Sequence, residues 1–165
     1  LVRVHRGTGA GIISNGRIFI GRNGNVGEIG HIQVDPLGER CHCGNFGCLE
    51  TIAANAAIEA RVRHLLERGY QSRLTLDDCH IDAICKAANK GDPLACEVIE
   101  HVGRHLGKAV AIAINLFNPQ KVVIDEAAYV YLFQKNYQLA MNKEVKGFTF
   151  NPMLEQVFNI ATMSK

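Results

Sequence analysis

The run Cys41-His42-Cys43-Gly44-Asn45-Phe46-Gly47-Cys48 constrains this chain more than any other feature, because it crowds three thiols into one short turn interleaved with glycines. Thiols at that spacing rarely serve packing alone, and the glycines let the backbone fold around a small ion. Zinc takes four tetrahedral ligands of sulfur or nitrogen, and a shell closed by protein ligands makes a structural rather than a catalytic site. The fourth ligand has two candidates, His31 and His42. His42 lies between two ligating cysteines, where its side chain tends to point away from the ion they share, so His31 is preferred. Two other uses compete: three buried thiols in a turn, and a nucleic-acid zinc finger. The finger would need a second ligand pair at the usual interval and a basic recognition helix, which the sequence lacks.

The choice between metal and disulfide turns on compartment. Arg3, His5 and Arg6 interrupt the apolar start, and no small-residue cleavage site follows, so the first twenty residues do not read as a secretory signal. A reducing, cytoplasmic setting is expected, where clustered cysteines bind metal rather than cross-link. The remaining cysteines, Cys79, Cys85 and Cys96, fall in helical regions without partner spacing and read as packing groups. The net charge of +2 is small and dispersed, which indicates neither a DNA-tracking surface nor a membrane-attracting patch. The longest apolar stretch, Ala109 to Ile114, is too short to span a bilayer. With 165 residues, 47% of them hydrophobic, the chain suffices for one buried core.

Around the cysteine turn the pattern is that of a layered α/β domain. Residues 2–4 and 10–13 read as strands joined by a tight glycine turn, and Asn15-Gly16 predicts a type I′ turn returning Arg17 to Ile20 as the next strand. The segment from Gly21 to Gly47 is glycine-rich and aperiodic, a loop that builds a site. Ile58, Val62, Leu65 and Leu66 share one helical face, which predicts a helix from about Thr51 to Arg68, stopped by Gly69. Ile81, Ile84, Cys85 and Ala88 mark a short helix ending near Gly91. Asp92-Pro93 then predicts the start of a long helix toward Leu116, with Asp as cap and Pro at the first helical position. Its second half, Val110 to Ile114, is apolar almost all round and should be covered on most sides. Asn118-Pro119 ends it, and Lys121 to Ile124 reads as a buried returning strand.

Several side chains are candidates for chemistry. Glu28 and Glu50 flank the cysteine loop, where a carboxylate either supports a ligand histidine or accepts hydrogen bonds from sugar hydroxyls; a solvated surface charge is the equally weighted alternative. Gly7, Thr8 and Gly9 belong to a glycine run that could cradle a phosphate, although a tight structural turn fits at least as well because no helix follows directly. His101 and His105 stand four apart on the long helix without the Glu of a metalloprotease motif, and read as one helical face.

Gly7-Thr8-Gly9-Ala10-Gly11, Gly27-Glu28-Ile29-Gly30-His31 and Cys41 to Glu50 stand in an order that closely resembles the ROK (repressor, open reading frame, kinase) family. The resemblance runs from about residue 1 to 124. It implies one lobe of an actin-like, ribonuclease H-like fold, with sugar bound in the cleft between two α/β lobes. It also implies His31, Cys41, Cys43 and Cys48 as ligands of a structural zinc, Glu28 and Glu50 as carboxylates that hold sugar hydroxyls, and His31 as a further sugar contact. No catalytic residue is carried over. Within the family the chain is most similar to amino-sugar-responsive transcription repressors, which implies N-acetylglucosamine 6-phosphate as effector, a homo-oligomer, and DNA contact only through a helix-turn-helix head that lies before residue 1. An ATP-dependent sugar kinase is the alternative. Residues 125–165 match no closing element of the family, so the expected organisation is a sugar-binding lobe over 1–124, with the zinc loop at 31–48, and a divergent tail. In the tail Val130, Leu132, Phe133, Leu139, Phe148 and Phe150 are expected to pack on the sheet or on a second chain.

Overall fold

The computed structural model describes residues 1–125, so the expectations for the tail lie outside the described residues. Strand β1 (Val2–Val4) is central in a three-stranded sheet, antiparallel to β2 (Thr8–Ala10) and parallel to β5 (Ile124–Asp125). A separate hairpin pairs β3 (Ile13–Ser14) with β4 (Arg17–Ile18). Its turn residues Asn15 and Gly16 both have positive φ, 51° and 73°, as a type I′ turn demands.

Four α-helices follow among the described residues. Helix α1 (Glu50–Ala53) and α2 (Asn55–Glu67) follow the cysteine turn, and α3 (Ile81–Asn89) leads through a short connection into α4 (Pro93–Phe117). Helix α4 begins where the dipeptide Asp92-Pro93 predicts: the Asp92 carboxylate accepts the Ala95 backbone N–H, and Pro93 occupies the first turn. It ends at Asn118, which takes a left-handed φ of 41° while its N–H closes onto the Ile114 carbonyl at 2.8 Å. The core forms where Val2 and Val4 of the sheet meet Leu49, Ile58, Val62, Val98, Ile99 and Val102, all nearly or fully buried. Burying aliphatic side chains of this size contributes about 1.5–3 kcal/mol each, and α4 gathers most of that burial by packing against both α2 and α3.

Five expectations need correction. The second strand starts at Thr8, not residue 10, because Val4 pairs with Thr8 and draws part of the glycine run into the sheet. Only Arg17 and Ile18 of the predicted 17–20 strand pair across the hairpin, and the returning strand sits at Ile124–Asp125, where register with Val2 and Arg3 is available. The helix predicted from Thr51 is two helices. Ala54 is extended (φ −66°, ψ 145°), and the Asn55 N–H turns away to the His5 carbonyl at 2.9 Å. Finally, the cover over α4 thins beyond Ala111, where Ile114 still packs on the core but is only partly buried. Ile112, Leu116 and Phe117 are 39%, 70% and 48% exposed among the described residues, so the all-round apolar pattern outruns the layer packed against it.

Candidate metal and carbohydrate site

Backbone hydrogen bonding shapes the cysteine turn before any ligand is considered. Gly44 donates to the Cys41 carbonyl at 2.9 Å and Cys41 to the Asn45 carbonyl at 2.7 Å, closing a knuckle that projects the Cys41 and Cys43 sulfurs to one side. The carbonyl of Gly47 accepts from both Val34 and Asp35, and its N–H donates to Glu39. Gly47 has φ 62°, and a side-chain carbon there would overlap the Asp35 carbonyl, so no other residue fits. Cys48 pairs across to Gln33, and the Leu49 N–H donates to the Ile32 carbonyl at 2.9 Å; these bonds carry the chain from the knuckle past the 3-10 turn Ile29–His31.

As a result His31, Cys41, Cys43 and Cys48 offer ligand atoms that all lie within 4.8 Å of one another. The Cys43 and Cys48 sulfurs are 3.7 Å apart, and the Cys41 sulfur is 3.6 Å from His31 Nδ1. A tetrahedral ion with metal–sulfur bonds near 2.3 Å separates its ligands by about 3.7 Å, so these spacings match the edges of such a shell. The electrostatics point the same way. Burial pushes the Cys48 thiol up to about 12, with the Cys43 and Cys41 sulfurs adding to the rise, while a backbone hydrogen bond at Asn45 holds the Cys43 thiol below its ordinary value. Buried thiolates in contact oppose one another's charge; a shared cation reverses that sign. The cluster can therefore hold a metal ion.

Glu50 begins α1 directly beyond the cluster and is only half-buried. Its two oxygens face different elements. Oε1 lies 3.3 Å from His42 Nδ1 of the knuckle, and Oε2 accepts the Thr8 backbone N–H at 3.4 Å. Glu28 stands exposed at the head of the Ile29–His31 turn, two residues before Gly30, whose backbone borders the Glu50 carboxylate. His31 is intermediate in burial and its ring meets that of His42 edge-on at 5.0 Å. Of the glycine run, Gly7 lies in the turn while Thr8 and Gly9 are strand residues; the hydroxyl of Thr8 is buried without a partner among the described residues.

His42 is the residue whose part the spacing did not reveal. Its Nδ1 lies 3.8 Å from the Cys41 sulfur, at the edge of the four-ligand set, and it forms a second titratable group with His31 and Glu50. Nothing local in the sequence announces that contact, since it depends on the knuckle folding back over the start of α1. Elsewhere, His105 is buried and its Nδ1 pairs with the His101 carbonyl at 2.8 Å, while Cys79 and Cys85 are buried and Cys96 partly so, consistent with packing. No helix among the described residues is long and apolar enough to cross a membrane.

The ROK family model matches residues 1–165. The DNA-binding transcriptional dual regulator NagC of Escherichia coli (strain K12) is 86% identical over 124 residues, which cover 75% of this chain and 30% of that protein. A shorter stretch of 46 residues, 28% of this chain and 9% of the relative, is 91% identical to the probable D,D-dipeptide-binding periplasmic protein DdpA of the same organism. Among solved structures, the crystal structure of a ROK family transcriptional regulator, a homolog of the E. coli MLC protein, superposes with a TM-score of 0.73 at 52% identity, covering 77% of this chain and 32% of that one. The chain thus spans about a third of the length of the regulators it resembles.

Proposed function

The chain belongs to the ROK family, and from that membership we propose that it is the sugar-effector-binding portion of an amino-sugar-responsive transcription repressor, organised by a structural zinc ion. The observation that carries this reading is the placement of Glu50, a carboxylate held directly against the four-ligand cluster by His42. His31, Cys41, Cys43 and Cys48 would hold the zinc, which supplies no reaction: with a closed shell of protein ligands it acts as a cross-link. The protein groups do the recognition. Glu50 and Glu28 accept hydrogen bonds from sugar hydroxyls, and His31 adds a polar edge beside them. A loop cross-linked beforehand presents these groups without the ordering cost that a flexible loop would incur on binding.

The effector expected on this reading is N-acetylglucosamine 6-phosphate, and its response in the whole protein is a shift between two arrangements through unequal affinity for them. DNA contact belongs to regions of the relatives that this chain does not span. Isothermal calorimetry of the zinc-loaded chain with N-acetylglucosamine 6-phosphate, alongside a coupled ADP-release assay with ATP and N-acetylglucosamine, tests the proposal. Saturable heat abolished by Glu50→Gln, with no ADP release, is expected. Turnover of ATP, or binding indifferent to Glu50→Gln, overturns it.

A further inference from the structure

The Glu50 carboxylate is clasped from two sides, and one side is the turn between β1 and β2. Oε2 accepts the Thr8 N–H, and the same oxygen lies 3.0 Å from where a side-chain carbon on Gly7 would stand. Gly30 closes the slot: a carbon there would come within 3.3 Å of Oε2 and 2.5 Å of the Thr8 carbonyl oxygen. None of these glycines has a positive φ, so backbone strain does not account for them. What the positions share is close approach to one carboxylate oxygen. Thr8 is itself fixed, paired with the buried Val4, so the slot is anchored to the central strand of the sheet.

We propose that Gly7 and Thr8 are positioning residues for Glu50: the turn supplies a backbone donor and a side-chain-free floor that set the carboxylate at the height where it meets a sugar hydroxyl. This rests on Glu50 as a sugar-binding group. It gives the glycine run a use other than cradling phosphate, because the Thr8 N–H is spent on a carboxylate and an anion placed there would face that charge. Each carboxylate oxygen can accept more than one hydrogen bond. Glu50 held by Thr8 and His42 therefore keeps acceptor capacity on both oxygens while losing rotational freedom.

The test is a double-mutant cycle on the full zinc-loaded chain, titrated with N-acetylglucosamine 6-phosphate. Gly7→Ala removes no group from the sugar but pushes Oε2 outward, so affinity should fall about tenfold, the scale of one charge-assisted hydrogen bond. Glu50→Asp withdraws the carboxylate by one methylene and leaves room for the added methyl, so in that background Gly7→Ala should cost less than about twofold. Equal losses in both backgrounds overturn the positioning role. If Glu50→Gln binds as well as the parent chain, the sugar-binding reading of Glu50 fails instead. A second readout needs neither ligand nor Gly7→Ala: the Thr8 amide proton, followed by NMR, should shift upfield in Glu50→Gln as its acceptor loses charge. An unmoved Thr8 amide sinks the proposal.

Discussion

Replacing Asp92 should unfold this protein more effectively than replacing any exposed charge, and the structure sets the size of the effect. The Asp92 side chain is fully buried, yet its carboxylate is saturated by donors from two segments. Oδ1 accepts the Ala95 N–H at 3.0 Å and the Ser72 hydroxyl at 2.9 Å, and Oδ2 accepts the Arg73 N–H at 2.6 Å. Burial alone would raise its pKa, but these three donors outweigh that and hold it below the ordinary carboxylate value. Asp92→Ala removes the cap of α4, worth about 1 kcal/mol, and strips the acceptor from two further donors at about 1 kcal/mol each. A loss of about 3 kcal/mol is expected, a large fraction of the ~5–15 kcal/mol that stabilises a domain. Asp92→Asn retains the two bonds on Oδ1 but turns an amide N–H toward the Arg73 N–H, so about 1–2 kcal/mol should go. The two replacements separate capping from charge.

The pH dependence follows with a definite sign. A carboxyl whose folded pKa lies below its unfolded value, near 3.9, contributes stability that is present in full above that value and is lost as pH falls through the folded pKa. Urea unfolding followed by circular dichroism should therefore show the parent chain ahead of Asp92→Asn at pH 7, with the gap closing below about pH 4 as Oδ2 acquires a proton and comes to resemble the amide. Comparing the two chains at each pH cancels the acid sensitivity of the metal cluster, which both share. A cost below about 1 kcal/mol for Asp92→Ala, or a parent–Asn gap unchanged between pH 7 and pH 3, would refute this reasoning.

Gly47→Ala should abolish metal retention, since its carbon overlaps the Asp35 carbonyl and breaks the bridge that brings Cys48 to the cluster; metal per chain by plasma emission spectroscopy reports the loss, and full occupancy would contradict it. Asn118→Gly should raise stability by about 0.5–1 kcal/mol, because Asn118 is held at φ 41° where glycine carries no side-chain penalty; a lower Tm by calorimetry would count against that account.

What the sequence made legible was local. The Asp92-Pro93 start of α4, the Asn15-Gly16 turn and the grouping of His31 with Cys41, Cys43 and Cys48 all arise from residues whose chemistry acts over a few positions or within one loop. The features that resisted reading are decided at a distance. Helical periodicity runs straight through Ala54, and only the His5 carbonyl, brought alongside by β1, diverts the chain there. The seat of Glu50 depends on a turn remote in sequence and on a glycine at 30 with no helical or turn signature of its own. Strand starts at Thr8 and Ile124 answer to register against β1, which no pattern within those short segments encodes.

The exposed apolar side chains near the end of α4 have a practical corollary. Among the described residues Ile112, Leu116 and Phe117 are exposed close to the turn that delivers β5, and a strip of that kind presents apolar surface to whatever it collides with. Handled alone at high concentration, such a chain should grow stickier as temperature rises within the range where apolar attraction strengthens, and a mild nonionic detergent should keep it monodisperse without touching the cysteine cluster on the far side of the sequence.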